Sequence, residues 1–88
     1  MKRQLMRTLS AKMDIPSEIL TQDPLIEIRG DGHVAVDHHS AILEYTRQVI
    51  QLSTRTGLVC VEGSGLTITL LTRTRVEIRG KISAVRLG

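Results

Sequence analysis

The chain has 88 residues, a formal net charge of +3 and 41% apolar residues. This length fits one domain, and the apolar content excludes an intrinsically disordered chain. No apolar run approaches the roughly 20 residues of a membrane-spanning helix, and the single cysteine excludes an internal disulfide. Because Phe and Trp are absent and Tyr occurs once, the core must be aliphatic.

Charge is distributed in three blocks along the chain. Residues 1–12 carry +4, residues 13–44 carry −6 and residues 45–88 carry +5. Blocks of opposite sign favour docking of one part on another, within a chain or between chains. A nucleic-acid binder more often shows one uniform basic stripe.

The first 24 residues are predicted to form a lead-in to a β domain at 25–88. Residues 1–13 have the periodicity of a short amphipathic helix, with Lys2, Arg3, Arg7 and Lys12 around its apolar stripe. It is either a terminal helix that frays or a basic segment resting on an anionic membrane or a partner protein. No apolar segment typical of a signal peptide follows the basic residues. Pro16 ends the helix, and Ser17 can cap a short turn.

Apolar residues alternate with polar ones from Leu25 onward, which is the period of a β-strand. Ile26 and Ile28 are expected to face the core, and residues 37–40 and 62–65 are predicted turns, the second a hairpin turn. Even spacing with Gly-rich turns is typical of an all-β sandwich or small barrel. The predicted strands are 25–29, 33–36, 41–45, 49–53, 58–62, 66–71, 75–79 and 82–87.

Two internal repeats refine this prediction. Residues 50–60 and 68–78 each contain an alternating strand, a Thr-Arg-Thr connection and a second alternating strand, and Glu-Ile-Arg-Gly occurs at both 27–30 and 77–80. The favoured fold is a small antiparallel β-sandwich or meander of about eight short strands, preceded by the short N-terminal helix. The rival is a short β-solenoid with a rung of about 18 residues, in which Arg55 would stack over Arg73.

Either architecture leaves sheet edges open. Arg73, Arg75, Lys81 and Arg86 are candidates to guard them, because charged side chains on an edge discourage pairing with another chain. Alternatively, an edge pairs with the same edge of a second copy of the chain. With so small a core, we expect a homo-oligomer.

No constellation in the sequence predicts catalysis, a cofactor or a metal. His33, His38 and His39 are zinc-compatible ligands, but adjacent residues of an extended chain point to opposite faces. Cys60 lies in an alternating apolar run, which predicts a small buried hydrophobe. No serine has the setting of a catalytic nucleophile. The Gly-rich stretch at 62–65 precedes a strand, whereas a phosphate-binding loop precedes a helix.

Several stretches, taken in order, resemble one known family. They are Asp14-Ile-Pro16, Asp23–Ile26, Asp37–Ile42, Val61–Leu66 and Val76–Ile82. Together they resemble the YabP/YqfC family of small sporulation proteins of endospore-forming Firmicutes, and most of all its YqfC branch. The resemblance runs from about Met13 to Leu87.

The resemblance implies a role in endospore formation, without known catalytic residues. It also implies a cytoplasmic location in the mother cell, or one at the membrane periphery, and a membrane-associated sporulation protein as partner. We therefore predict a non-enzymatic, self-associating or partner-binding β module. The alternative is a module that binds nucleic acid or an anionic membrane surface, although Tyr45 alone is available for base stacking. The predicted contact residues are Lys2, Arg3, Arg7, Lys12, Arg55, Arg73 and Arg75.

Overall fold

The structure, a computed structural model, describes residues 23–88, and all regular elements in that range are β-strands. The all-β prediction is therefore confirmed for this part of the chain. The predicted N-terminal helix and the turn after Ser17 lie outside the described residues. The strands are β1 (Leu25–Arg29), β2 (His33–Asp37), β3 (His39–Tyr45), β4 (Val49–Thr54), β5 (Gly57–Leu71) and β6 (Arg75–Leu87).

The six strands form one sheet in the order β1-β2-β6-β5-β4-β3, and every neighbouring pair is antiparallel. The solenoid is therefore wrong, because stacked rungs would pair parallel strands. Arg55 and Arg73 do not stack in register, since they lie in the turns at opposite ends of β5. The prediction of about eight strands is also wrong, because two pairs of predicted strands merge into β5 and β6.

The long strands β5 and β6 each belong to both halves of the sheet. The beginning of β5 pairs with β4 and with the end of β6, whereas the end of β5 pairs with the beginning of β6. The beginning of β6 also pairs with β2. We call β1, β2, residues 67–71 and residues 75–79 the first half-sheet, and β3, β4, residues 57–62 and residues 84–87 the second half-sheet.

Glycines mark the bend between the half-sheets. The predicted hairpin turn at 62–65 is wrong, because these residues lie inside β5, where its register with β6 shifts. A Cβ on Gly63 would overlap the carbonyl oxygen of Lys81, and one on Gly80 would lie 2.8 Å from the carbonyl oxygen of Gly65. The two backbones therefore approach too closely for any side chain at Gly63 or Gly80.

The longer internal repeat encodes two consecutive hairpins that share β5. Residues 50–60 build the β4–β5 hairpin, and residues 68–78 build the β5–β6 hairpin. The first threonine of each turn donates its hydroxyl to a backbone carbonyl, Thr54 to Gly57 at 2.8 Å and Thr72 to Arg75 at 3.4 Å. Such side chain–backbone bonds favour turns. The two-strand module predicted from the repeat is confirmed.

The core is aliphatic and is formed by both half-sheets. Leu66 at the bend lies in the same cluster as side chains from four strands. Ile26 packs against this cluster, but Ile28 is 55% exposed. Ile28 therefore lies on the predicted side of the sheet, since it pairs with the core residue Val34, but it is not buried, because β1 is an outermost strand with one neighbour among the described residues. The buried cluster comprises Val34, Val36, Ile50, Leu52, Val59, Val61, Leu66, Val76 and Ile78.

A single residue, His38, connects β2 to β3. The predicted four-residue turn at 37–40 is wrong, since β2 ends at Asp37 and β3 begins at His39. His38 has a φ of 66°, a left-handed conformation in which His is enriched among non-glycine residues. Its N–H donates to the carbonyl of Thr74 at 2.5 Å. The connection carries the chain from the first half-sheet to the second.

Candidate functional site: a charged face and an open sheet edge

The repeated Glu-Ile-Arg-Gly segments lie on either side of β2 in the same register. Glu27 on β1 and Glu77 on β6 are both cross-strand partners of Ala35. Directly paired residues project on the same side of a sheet, so the two glutamates flank Ala35, which is fully buried between them. The short repeat thus places two carboxylates on one face.

The same register places two arginines beside a histidine. Arg29 and Arg79 are the cross-strand partners of His33. Because Val34 and Val36 belong to the core, the alternate residues of β2 project on the opposite side. We call this outward set the charged face; it comprises Glu27, Arg29, His33, Asp37, Arg75, Glu77 and Arg79.

Arg75 forms an ion-pair network at the centre of the charged face. Its Nη1 donates to both carboxylate oxygens of Asp37 at 2.9 Å, and its Nε donates to Glu77 Oε2 at 2.8 Å. Its Nη2 lies 3.5 Å from Glu27 Oε1. Three carboxylates thus surround one guanidinium, whose planar donors suit such contacts. The network as a whole carries net negative charge.

The pKa values within the network favour its ionised state. The hydrogen bond from Arg75, followed by that from His33, lowers the pKa of the Glu77 carboxyl. Hydrogen bonds to Glu77 and Asp37 raise the pKa of Arg75 further above its already high ordinary value. Protonation of Glu77 therefore costs free energy in the folded state. Arg75 was a predicted contact residue for an anionic partner, but these carboxylates occupy its donors.

The structure does not bring the three histidines together. His33 begins β2 and its Nε2 lies 3.4 Å from Glu77 Oε1, whereas His38 follows the last residue of that strand. The Nδ1 of His38 is 3.1 Å from the carbonyl oxygen of Asp23. Within residues 23–88, no group of three or more His, Cys, Asp or Glu side chains is arranged to hold a metal ion.

The turns that carry Arg55 and Arg73 are linked to each other through Asp23 and His38. Arg55 Nη1 donates to Asp23 Oδ1 at 2.7 Å, and the Asp23 carbonyl contacts His38. The backbone N–H of His38 in turn donates to Thr74, in the turn that carries Arg73. Both arginines are exposed. The other predicted contacts, Lys2, Arg3, Arg7 and Lys12, lie outside the described residues.

Cys60 is half-buried and not part of the core. Its neighbours Val59 and Val61 are core residues, so Cys60 projects on the other side of β5. The expectation of a buried hydrophobe is corrected accordingly. Partial burial, followed by the charge and hydrogen bonding of Glu62, raises the pKa of the Cys60 thiol. A raised pKa disfavours the reactive thiolate.

An apolar groove of about 320 Å³ lies beside the start of β1. Ile26, Val59 and Leu87 are among its lining residues. Asp23 is the one charged side chain on its wall, and it is paired with Arg55. The groove therefore offers apolar contact rather than a cluster of reactive groups.

The two outermost strands present different edges. β1 pairs with β2 through five consecutive residue pairs without a register shift. β3 pairs with β4 irregularly, with shifts around Ser40 and Leu43, and bulges of this kind twist an edge away from further pairing. Among residues 23–88, β1 pairs on one side only, and its other side is thus a regular edge that can accept another strand.

Other exposed stretches of backbone are capped within the chain. On the outer side of β5, the N–H of Leu66 donates to the carbonyl of Arg47 at 2.8 Å, and that of Ile68 to the hydroxyl of Tyr45 at 2.9 Å. On β6, the N–H of Ile82 donates to the carbonyl of Asp31 at 2.7 Å. These contacts cover parts of both strands where their sheet neighbours have ended.

Sequence reasoning missed the carboxylates around Arg75. A signal for Glu27 and Glu77 was present, because two identical tetrapeptides in an alternating pattern fit strands that flank a common neighbour. Asp37 had no such signal, since its position depends on the one-residue connection at His38. The regular edge of β1 was also missed, because strand order decides which strand is outermost.

No helix within residues 23–88 is both long and apolar enough to cross a membrane.

Comparison with known proteins agrees with the resemblance in sequence motifs. The model of the YabP family matches residues 21–88, which include all six strands. The chain is also similar to the uncharacterised protein YqfC of Bacillus subtilis (strain 168), with 21% identity over 85 residues that cover 97% of this chain and 91% of the relative. This chain therefore belongs to the YabP family.

Proposed function

We propose that this protein is a non-enzymatic β module that acts in endospore formation by associating with itself or with a partner protein. The observation that carries the proposal is the regular open edge of β1, on which Leu25 is 51% and Ile28 is 55% exposed. Strands with unpaired backbone groups and exposed apolar side chains readily accept another strand. Membership of the YabP family supports the sporulation part of the proposal.

The arrangement of reactive groups supports a binding role over catalysis. Arg75 is engaged with Asp37 on the neighbouring strand and with Glu77 on its own strand. The Cys60 thiol has a raised pKa, opposite to the shift that activates a cysteine nucleophile. These side chains therefore contribute to the surface of the sheet rather than to a reaction centre.

A genetic experiment tests the role in sporulation. The gene is deleted in its endospore-forming host, and heat-resistant spores are counted after complementation with the natural chain or with Ile28→Lys. We expect the natural chain to restore spore counts and Ile28→Lys to fail, because a charge on the edge discourages strand addition. Leu43→Lys on β3 is the matched control and should restore them. Normal spore counts after deletion would contradict the proposal.

A second candidate function is binding to an anionic surface or nucleic acid. The observation that favours it is the link between the Arg55 and Arg73 turns through Asp23 and His38. Binding to anionic vesicles, DNA and RNA should then be strongest at low salt and weaken in Arg73→Gln. Arg79→Gln, on the charged face, is the control. Lack of binding at low salt would remove this candidate.

A further inference from the structure

We infer that β1 pairs antiparallel with β1 of a second copy, about a two-fold axis through Ile28, so that one sheet continues across two chains. This inference rests on the self-association part of the proposed function and names its surface and register. A two-fold pairing uses the same strand in both chains, as an isologous interface requires.

The charges of β1 complement one another in this register. A two-fold axis at Ile28 places Glu27 directly opposite Arg29 of the second copy, and Arg29 opposite Glu27 of the second copy. Opposite charges in directly facing positions stabilise a strand pair. An axis at Glu27 would instead place two glutamates opposite each other, so charge selects the register centred on Ile28.

Both charged groups are available for contacts with another chain. Arg29 is exposed and makes no ion pair within residues 23–88. Glu27 contacts Arg75 at 3.5 Å, the longest ion pair of the Arg75 network. Arg75 retains closer carboxylates in Asp37 and Glu77, so it stays neutralised if Glu27 turns toward a second copy.

The apolar side of the edge fits the same pairing. Ile28 pairs with Val34, a core residue, so it lies on the inner side of the sheet. Its exposure of 55% is high for a large aliphatic side chain on that side. The two-fold axis brings Ile28 of both copies face to face, and each covers the other from water.

Of the described edges, β1 is the best suited to this contact. β3 is interrupted by register shifts, and backbone groups of β5 and β6 are capped by Arg47, Tyr45 and Asp31. The contact is nevertheless short, since a two-fold axis at Ile28 pairs only residues 27–29 of the five-residue β1 with β1 of the second copy. It buries much less than the roughly 1,600 Å² of a standard interface. We therefore expect a dimer that forms and dissociates with concentration.

A charge-swap experiment on the full chain tests the pairing. Arg29→Glu and Glu27→Arg each create two like-charge pairs in the two-fold register, so each alone should raise the dimer dissociation constant roughly tenfold. Mixing the two variants restores two opposite-charge pairs, so a heterodimer should predominate. The double variant Glu27→Arg/Arg29→Glu should again form homodimers. Light scattering after size exclusion and native mass spectrometry measure these states.

Controls separate loss of pairing from loss of folding. Glu44→Arg on β3 should leave the dimer unchanged, and thermal unfolding of each variant at low concentration reports on the monomer. If the charge substitutions at positions 27 and 29 leave the dimer dissociation constant unchanged, the β1 pairing is overturned, whereas self-association still stands. A chain that stays monomeric at every concentration would overturn both self-association and this inference, while leaving binding to a different partner open.

Discussion

The glycine bend joins β5 to β6, and the charged face joins β6 to β2 and β1, and the two contacts have different physical requirements. At the bend, backbone atoms of Gly63 and Lys81 approach so closely that there is no room for a Cβ. On the charged face, Arg75 contacts its carboxylates through long side chains that can adjust. Mutations at the bend should therefore affect folding itself, whereas those on the face should alter stability in a way that depends on pH.

The largest effect is expected for Gly63→Ala. The added methyl group would overlap the backbone of β6, which has to move, and we expect a loss of about 3 kcal/mol or more in the free energy of unfolding. Gly30→Ala is the matched control, since open space surrounds that position and only its φ of 58° opposes a side chain. Its cost should be about 1–2 kcal/mol. Urea denaturation measures both, and equal losses would contradict the role assigned to the bend.

The next effect is expected for Leu52→Ala, which tests the core in the second half-sheet. Leu52 is fully buried, and its truncation should cost about 2–5 kcal/mol through lost burial and the remaining cavity. Leu71→Ala is the control, because Leu71 is 55% exposed. Its cost should stay within about 0.5 kcal/mol. Similar midpoints for the two variants in chemical denaturation would argue against a core shared by both half-sheets.

The charged face should contribute stability that depends on pH. The folded-state pKa of Glu77 lies below its ordinary value of 4.5. Stability from this carboxylate is therefore fully present above the unfolded-state pKa and is lost as pH falls below about 4.5 through the folded-state pKa. Glu77→Gln should flatten this part of the pH–stability curve measured by thermal unfolding. Glu44→Gln, which removes an exposed carboxylate on β3, should leave it nearly unchanged.

The smallest effect concerns Cys60, which is part of neither the bend nor the Arg75 network. Because its pKa is raised, its reaction with a thiol reagent at pH 8 should be slower than that of free cysteine. Glu62→Gln should speed the reaction, since Glu62 contributes to the rise, and Arg86→Gln should slow it, since Arg86 opposes the rise. The initial rate of thiol modification measures both, and rates that change in the reverse order would contradict this electrostatic account.

Sequence patterns predicted strands and hairpins well where residues close together in the chain determine them. Alternation and the Thr-Arg-Thr repeats predicted two hairpins, whose turns contain hydrogen bonds between residues a few positions apart. The glycines at 63, 65 and 80 misled the prediction, because a glycine that ends a strand and one that permits close approach of another strand look alike in sequence. Only the pairing of β5 with β6 distinguishes these two uses.

The candidate site was less predictable than the fold for a related reason. Glu77 lies on the same strand as Arg75, but Glu27 and Asp37 contact Arg75 from β1 and β2, which are distant from β6 in the chain. The order β1-β2-β6 creates this neighbourhood. Alternation tells which side of a strand a residue occupies, but not which strand lies next to it.

The placement of β6 between β2 and β5 has a consequence for biosynthesis. β2 is made before β3, β4 and β5, yet its inner neighbour is β6, which is made after them. During translation, β1 and β2 can form only an isolated hairpin, which is marginally stable in water. The emerging chain therefore keeps the apolar residues Val34 and Val36 without their β6 partners until β6 has been made, and molecular chaperones have that interval in which to engage it.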